Sequence, residues 1–419
     1  MACATGAAAE DEETALETFA SDIGGQLRLF IFDDDRDERE QSQKSVEADL
    51  EDSNTIKPAI FTFDPIESKL TRFYDFKEFL KESIGFRFTT DYTALLQRAS
   101  STLGGDKDAG SQVFRLLGTW LRVGDRNRAA GNLVWKIETR TRVGSRPTPR
   151  ELGFDTGSAL STANYKVQDF GATDLYWAQR LAGGKYKFLA GHMDPGDWAD
   201  QYPLLNAWTS FMNDAFYNNP TQAIPGRGFA LVGQAYIVDT VYAMAGVADA
   251  NGKGSDIDVP SFFDTQEWFS WFEVGYRGSR NLMSRRNSHI NIWHQDARKE
   301  AGVDESWGAV FTHSLTTSRG YVAFLRAGYS EGGAAQMRRF IGIGGSGKIL
   351  GRDTLGCAVS WGSPPDKSLR DQYTSECFYR LQVTQNLTIS PDIQATYKPS
   401  FNPAKDWVAV VGLRLRIAF

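Results

Sequence analysis

From Ile84 to the carboxyl terminus the chain alternates between apolar and polar residues, and this period of two constrains its fold more than any other feature. In the last segment Trp407, Ala409, Val411, Leu413, Leu415, Ile417 and Phe419 share one face. Val408, Val410, Gly412, Arg414, Arg416 and Ala418 share the other. Gly131–Val143 repeats the pattern, with Leu133, Trp135, Ile137, Thr139, Thr141 and Val143 opposite Asn132, Lys136, Glu138, Arg140 and Arg142. In Gln266–Arg277, Trp268, Ser270, Phe272, Val274 and Tyr276 oppose Phe269, Trp271, Glu273, Gly275 and Arg277. A soluble sandwich alternates too, but its buried face seldom holds Arg and Glu. Here the charged face also carries Gly and Trp, as a wet lumen would.

Composition narrows the choice. No stretch approaches the ~18 apolar residues of a spanning helix, whereas a spanning β-strand needs only ~9–11 residues, half of them polar. Hydrophobic residues are 41%, aromatics 13% and glycines 40 in number, a profile that fits such a barrel. The formal charge of −6 does not indicate a nucleic-acid-binding face. Three cysteines make no disulfide scaffold, and four histidines indicate neither a metal enzyme nor any other cofactor.

The pattern resolves into about sixteen strands: 84–95, 111–123, 131–143, 173–183, 185–194, 228–237, 239–249, 266–277, 286–296, 306–315, 319–329, 336–346, 352–361, 374–384, 386–398 and 405–419. The fold expected is an all-β transmembrane barrel of antiparallel strands spanning residues 84–419, after an amino-terminal non-barrel segment, residues 1–83. With both ends periplasmic, the outward connections include 144–172, 195–227, 250–265 and 362–373. The periplasmic ones, such as 184, 238 and 316–318, are tight turns, as barrels of the outer membrane have. Met1–Glu10 has the small residues of a signal-cleavage region without the charged and apolar regions before it, which reads as a trimmed export signal or a misassigned start. The acidic run Asp33–Asp52 reads as a solvated, disordered segment, and Lys69–Glu82 as a short amphipathic helix.

The sequence resembles the carbohydrate-selective porins of the OprB family from about Gly131 onward. The pieces that carry the resemblance are GHMDPGDWADQY (Gly191–Tyr202), SFMNDAFYNNP (Ser210–Pro220), GVADANG (Gly246–Gly252), FEVGYR (Phe272–Arg277) and IWHQDAR (Ile292–Arg298). They continue through LRAGYS (Leu325–Ser330), RDTLG (Arg352–Gly356), ECFYRLQ (Glu376–Gln382) and TISPDIQATYKPSFNPAKD (Thr388–Asp406), to the terminal VVGLRLRIAF. GHMD stands where the family more often has Lys before its acidic residue, so that Lys has no counterpart here. The resemblance implies a channel in the outer membrane of a Gram-negative bacterium, surrounded by lipid, that passes mono- or small oligosaccharides and is not an enzyme. Homotrimer and monomer both stand as its assembly.

A sugar needs charged or amide groups for its hydroxyls and an aromatic surface for its ring. Alternation puts Arg87, Arg115, Lys136, Arg140, Arg277, Arg326 and Arg380 on the lumen face as cations. Glu138, Glu273 and Glu376 join them as anions, with Trp271 and Trp293 as aromatics. These twelve are the candidate pore-lining contacts, and lumen ion pairs that shape the wall are the competing reading for each. Glu138 and Glu273 as a glycosidase pair are the poorer reading. His289 and His294 fall on opposite faces, against a metal pair. The connection 195–227, with Trp198, Tyr202, Trp208, Phe211, Phe216 and Tyr217, packs either inward to narrow the pore or outward as a lid or trimer contact. Cys357 and Cys377 face outward on neighbouring strands, as a disulfide or as two small hydrophobes. A general or anion-leaning porin is the alternative function, given the lumen excess of Arg.

Overall fold

The structure, a computed structural model, describes residues 44–55, 57–62, 64–125, 129–279 and 282–419. Sixteen strands form one closed antiparallel barrel in which each pairs with its sequence neighbours and the last with the first. They are β1 (Phe86–Ala99), β2 (Asp108–Asp125), β3 (Ala129–Arg142), β4 (Gln168–Leu181), β5 (Tyr186–Met193), β6 (Gly228–Val238), β7 (Val241–Asp249) and β8 (Trp268–Ser279). β9 (Leu282–Gln295), β10 (Ser306–Thr316), β11 (Val322–Glu331), β12 (Arg339–Ile349), β13 (Asp353–Ser363), β14 (Gln372–Gln382), β15 (Leu387–Tyr397) and β16 (Trp407–Ala418) complete it. Every expected strand is present. The largest departure in a start is β4, which begins at Gln168 rather than 173.

Closure pairs Asp91 with Ala418 through to Ala99 with Val410. Beyond the last paired residue the Phe419 amide donates to the Thr90 carbonyl at 2.9 Å, so no ladder edge is left there. The outward face is an exposed apolar band that includes Phe114, Phe188, Phe272, Ile292, Ile343 and Leu413. Water would disfavour such a surface and a bilayer accepts it. Cys357 and Cys377 are directly opposite across β13 and β14 and form a disulfide on this outward side.

Among the described residues, five α-helices accompany the barrel: α1 (Val46–Asn54), α2 (Asp64–Ile84), α3 (Pro149–Asp155), α4 (Asp214–Tyr217) and α5 (Val259–Asp264). The helix expected over 69–82 is α2, longer at both ends. It lies against β1, where Phe73 meets Phe88 edge-on and the Asn386 amide donates to the Tyr74 hydroxyl at 2.6 Å. The expectation of a solvated acidic run needs correction over its described part. Ser45 caps α1, whose Val46 and Leu50 are buried against Leu117, Val134 and Trp198. Its acids meet barrel arginines: Asp49 pairs with Arg115 at 2.7 Å and Asp52 with Arg416 at 3.4 Å. Residues 33–43 of that run lie outside the described residues.

The lumen also differs from the uniformly wet interior expected. Phe324, Phe340 and Phe378 on β11, β12 and β14 point inward and are buried with Tyr202, Leu204, Phe211 and Phe216 of the 195–227 connection. Inward Trp271 lies over Gly246, and inward Trp293 over Gly308. A Cβ at either glycine would meet the indole within 2.6 Å, so only glycine lets the ring lie flat on the neighbouring strand.

Candidate functional site

The connection 195–227 folds into the barrel, and inward charges on one side of the wall hold it there. Asp200 is the principal anchor. Its carboxylate pairs with Arg326, accepts from Thr312 Oγ1 at 2.5 Å and meets His289 Nε2 at 2.8 Å. Burial pushes this carboxyl up, but Arg326 and His289 outweigh it and hold it below the usual carboxylate range. The Asp200 amide donates to Glu273 Oε2 at 2.9 Å, and Glu273 also accepts from Tyr242 Oη at 2.6 Å and Asn291 Nδ2 at 3.0 Å. Glu376 accepts from the amides of Met212 and Asn213 at 2.7 and 2.9 Å. Arg380 donates to the Thr209 carbonyl at 3.0 Å, and Arg414 to those of Ala207 and Ser210 at 2.6 and 2.9 Å. Buried charge without such partners would be prohibitive, so these contacts fix the loop as much as the loop completes them.

The opposite wall faces open space. A cavity of about 530 Å³ is lined by Arg115, Lys136, Glu138 and Arg140 from β2 and β3. The inward loop contributes Asp194, Asp197, Trp208 and Asp214, and the β3–β4 connection contributes Arg150, Asn164 and Lys166. Trp208 is 8% exposed, with the Arg115 guanidinium 4.9 Å and that of Arg140 5.3 Å from its ring centre. Tyr165 braces it edge-on at 5.1 Å. Arg115 is held from behind by Asp91 and by Asp49 of α1, and Lys136 by Asp174. Arg140 donates to Glu138 Oε1 at 2.8 Å and to the Asn164 carbonyl at 2.7 Å.

Of the twelve sequence-predicted contacts, Arg115, Lys136, Glu138 and Arg140 thus come together on the cavity. Glu273, Arg326, Glu376 and Arg380 instead bind the inward loop. Trp271 and Trp293 are packed in the core with Phe269, and Arg277 stacks on Tyr242 at 4.2 Å. Arg87, at the start of β1, stands near Lys77 of α2. Glu138 and Glu273 have separate partners, and only Glu138 lines the cavity. His289 points inward to Asp200, while His294 is on the outer side against Glu305. Sequence reasoning missed Asp49, Asp200, Lys166 and Arg227, and carried Trp208 only as one aromatic of the loop.

A closed sixteen-stranded barrel with an apolar outer band and a long connection folded into its lumen is a porin by architecture. The family signature lies at the carboxyl end: residues 295–419 match the family described as carbohydrate-selective porin, OprB family. That match takes in the pieces from LRAGYS onward, while those before Gln295 lie outside it. The high-pH structure of Pseudomonas putida OprB is similar, with a TM-score of 0.63 at 15% identity over 87% of this chain and 99% of that one. Two mutants of the Rhodopseudomonas blastica porin align with TM-scores of 0.52 and 0.51 at 9% and 10% identity, over 80% of this chain and 100% of theirs. At such identities the likeness concerns the fold. No curated protein matches the sequence.

Proposed function

We propose that this protein is an outer-membrane porin through which mono- and small oligosaccharides diffuse passively, with the cavity beside β2 and β3 as the selective passage. One observation carries this reading: Trp208 offers an indole flanked by Arg115 and Arg140 and by the Glu138 carboxylate on the same cavity. A pyranose has a weakly apolar C–H face and a rim of hydroxyls that donate and accept. An aromatic surface set among fixed donors and acceptors matches both. Glu138 Oε2 and Arg140 Nε are buried and have no hydrogen-bond partner among the described residues. Permeation needs weak binding, so a few such contacts suffice. Trp271, Glu273, Arg277, Trp293, Arg326, Glu376 and Arg380 act one step back by holding the wall and loop in place.

Single-channel recording in planar bilayers tests this. Glucose should block the ion current with saturation, and Trp208→Ala should raise the half-blocking concentration about tenfold while the channel still inserts. A wild-type channel whose current no sugar reduces would instead be a general porin.

A further inference from the structure

The cavity holds more positive charge than its carboxylates balance, and the surplus is concentrated in one place. Nine lysines and arginines line it, against four carboxylates, among the described residues. Some of that charge is neutralised from behind, since Asp49 and Asp91 serve Arg115 and Asp174 serves Lys136. Arg140, Arg150, Lys166 and Arg227 form a second group, with fewer close ion pairs among the described residues. Arg140 and Arg227 share a single oxygen of Glu138, at 2.8 and 3.3 Å, and Arg227 reaches Asp194 only at 3.7 Å. Arg150 and Lys166 line the same cavity, and neither forms an ion pair with a carboxylate among the described residues. Two buried donors of this group, Arg140 Nε and Arg227 Nε, have no hydrogen-bond partner among the described residues, and the Arg140 side chain is 1% exposed.

Charge-assisted hydrogen bonds to a compact anion are about twice as strong as neutral ones, and guanidinium groups match the oxygens of carboxylates and phosphates. Resting on the sugar-channel reading above, we propose that the preferred solute is an anionic monosaccharide, its carboxylate or phosphate held among Arg140, Arg150, Lys166 and Arg227 while its ring lies against Trp208. The other charges at the cavity do not cancel this. Burial and the neighbouring Asp194 push the Asp197 carboxyl well up, and burial pushes Asp214 up. Asp194 is held down by Arg227 and Lys44 despite its burial, and remains as one partner of the group. The ring contacts make the site one for sugars rather than for anions at large, because an inorganic ion has no face to lay on an indole.

The full-length channel in planar bilayers, probed with glucose, gluconate, glucose 6-phosphate and inorganic phosphate, decides the matter. Gluconate or glucose 6-phosphate should half-block at about one-tenth the glucose concentration, and whichever does so identifies the anion. Lys166→Ala and Arg150→Ala, both at partly exposed positions of a connection, should erase that advantage and leave glucose block within about twofold. Lys166→Arg should restore it. Glucose blocking as well as both charged sugars overturns this proposal and leaves the sugar channel standing. Inorganic phosphate blocking as well as gluconate also overturns it, in favour of a plain anion channel. Absence of block by every sugar overturns the sugar-channel reading itself.

Discussion

Two walls of one lumen carry the same residue types and use them in opposite ways. On β8 to β11 and β14 to β16, inward Glu273, His289, Arg326, Glu376, Arg380 and Arg414 are bound to the backbone or to Asp200 of the inward loop. On β2 and β3, inward Arg115, Lys136, Glu138 and Arg140 are paired laterally and from behind, with faces left on a cavity. The difference teaches that inward charges of one type can either anchor a loop or border a cavity, according to what packs against them. Position on the strand is the same in both cases. What folds against it decides.

The largest break in this contrast comes from removing the principal anchor. Asp200→Ala strands Arg326 and His289, and breaking a buried ionic contact in this way costs about 3–5 kcal/mol. The loop should leave the wall, so conductance should rise severalfold and sugar block should vanish. Single-channel conductance together with urea unfolding in detergent checks both. Unchanged conductance would mean that the contacts of Glu376, Arg380 and Arg414, with the apolar packing of Phe211 and Phe216, retain the loop without Asp200.

Next in size is α1, which fills the lumen beside β1, β2 and β3 and ties Asp49 to Arg115. Asp49→Ala leaves Arg115 its Asp91 partner and the helix its Asp52–Arg416 link, but removes the link to Arg115 and to Asn206, whose amide donates to Asp49 at 3.0 Å. Conductance should rise about twofold, with a stability loss of about 1–3 kcal/mol in urea melts. No change in current would place the conducting path wholly away from α1.

A smaller effect separates the walls directly. Glu273→Gln keeps the shape of the side chain and should leave glucose block within about twofold while lowering stability by about 1–3 kcal/mol. Glu138→Gln should show the reverse emphasis, with about a fivefold change in block, because its carboxylate faces the cavity. Sugar titrations of both variants beside their melting curves supply the check. Equal effects on block would erase the distinction between the walls.

The legibility of this molecule in its sequence divides along the same line. Strand positions and the inward face of each were readable because the period of two is set by the pleat itself. Hairpin register set Cys357 opposite Cys377 on the outward face but left a disulfide and two small hydrophobes both open; the structure has the disulfide. What alternation cannot state is the depth of a residue or what covers it. Trp271 and Trp208 read alike as aromatics, yet one is packed over Gly246 and the other faces the cavity. The acids of α1 read as solvated because their partners are far along the chain: Arg115 is 66 residues from Asp49, and Arg416 is 364 from Asp52. Asp200 was lost among the residues of a long connection for the same reason, with Arg326 126 residues away.

The subtlest test uses pH to change a single charge on the cavity wall. Burial, with the guanidinium groups of Arg140, Arg150 and Arg227 nearby, pushes the Lys166 ammonium down to about 8, and Asp194 pulls weakly the other way. A lysine so lowered is charged below that value and loses its proton as pH rises through it. The cavity therefore carries this charge at pH 6 to 7 and has lost most of it by pH 9. Block by gluconate should weaken severalfold over that interval, while block by glucose stays level. Two other amines also titrate, because burial lowers Lys44 at the cavity and Lys77, the latter to about 8 beside Arg87 at the start of β1. Lys166→Arg separates them: its guanidinium keeps its charge throughout the interval, so the pH dependence should flatten if Lys166 is the source. A variant that titrates like the wild type would assign the effect to Lys44 or Lys77, and would place the anion nearer the mouth of the inward loop than the β3–β4 connection.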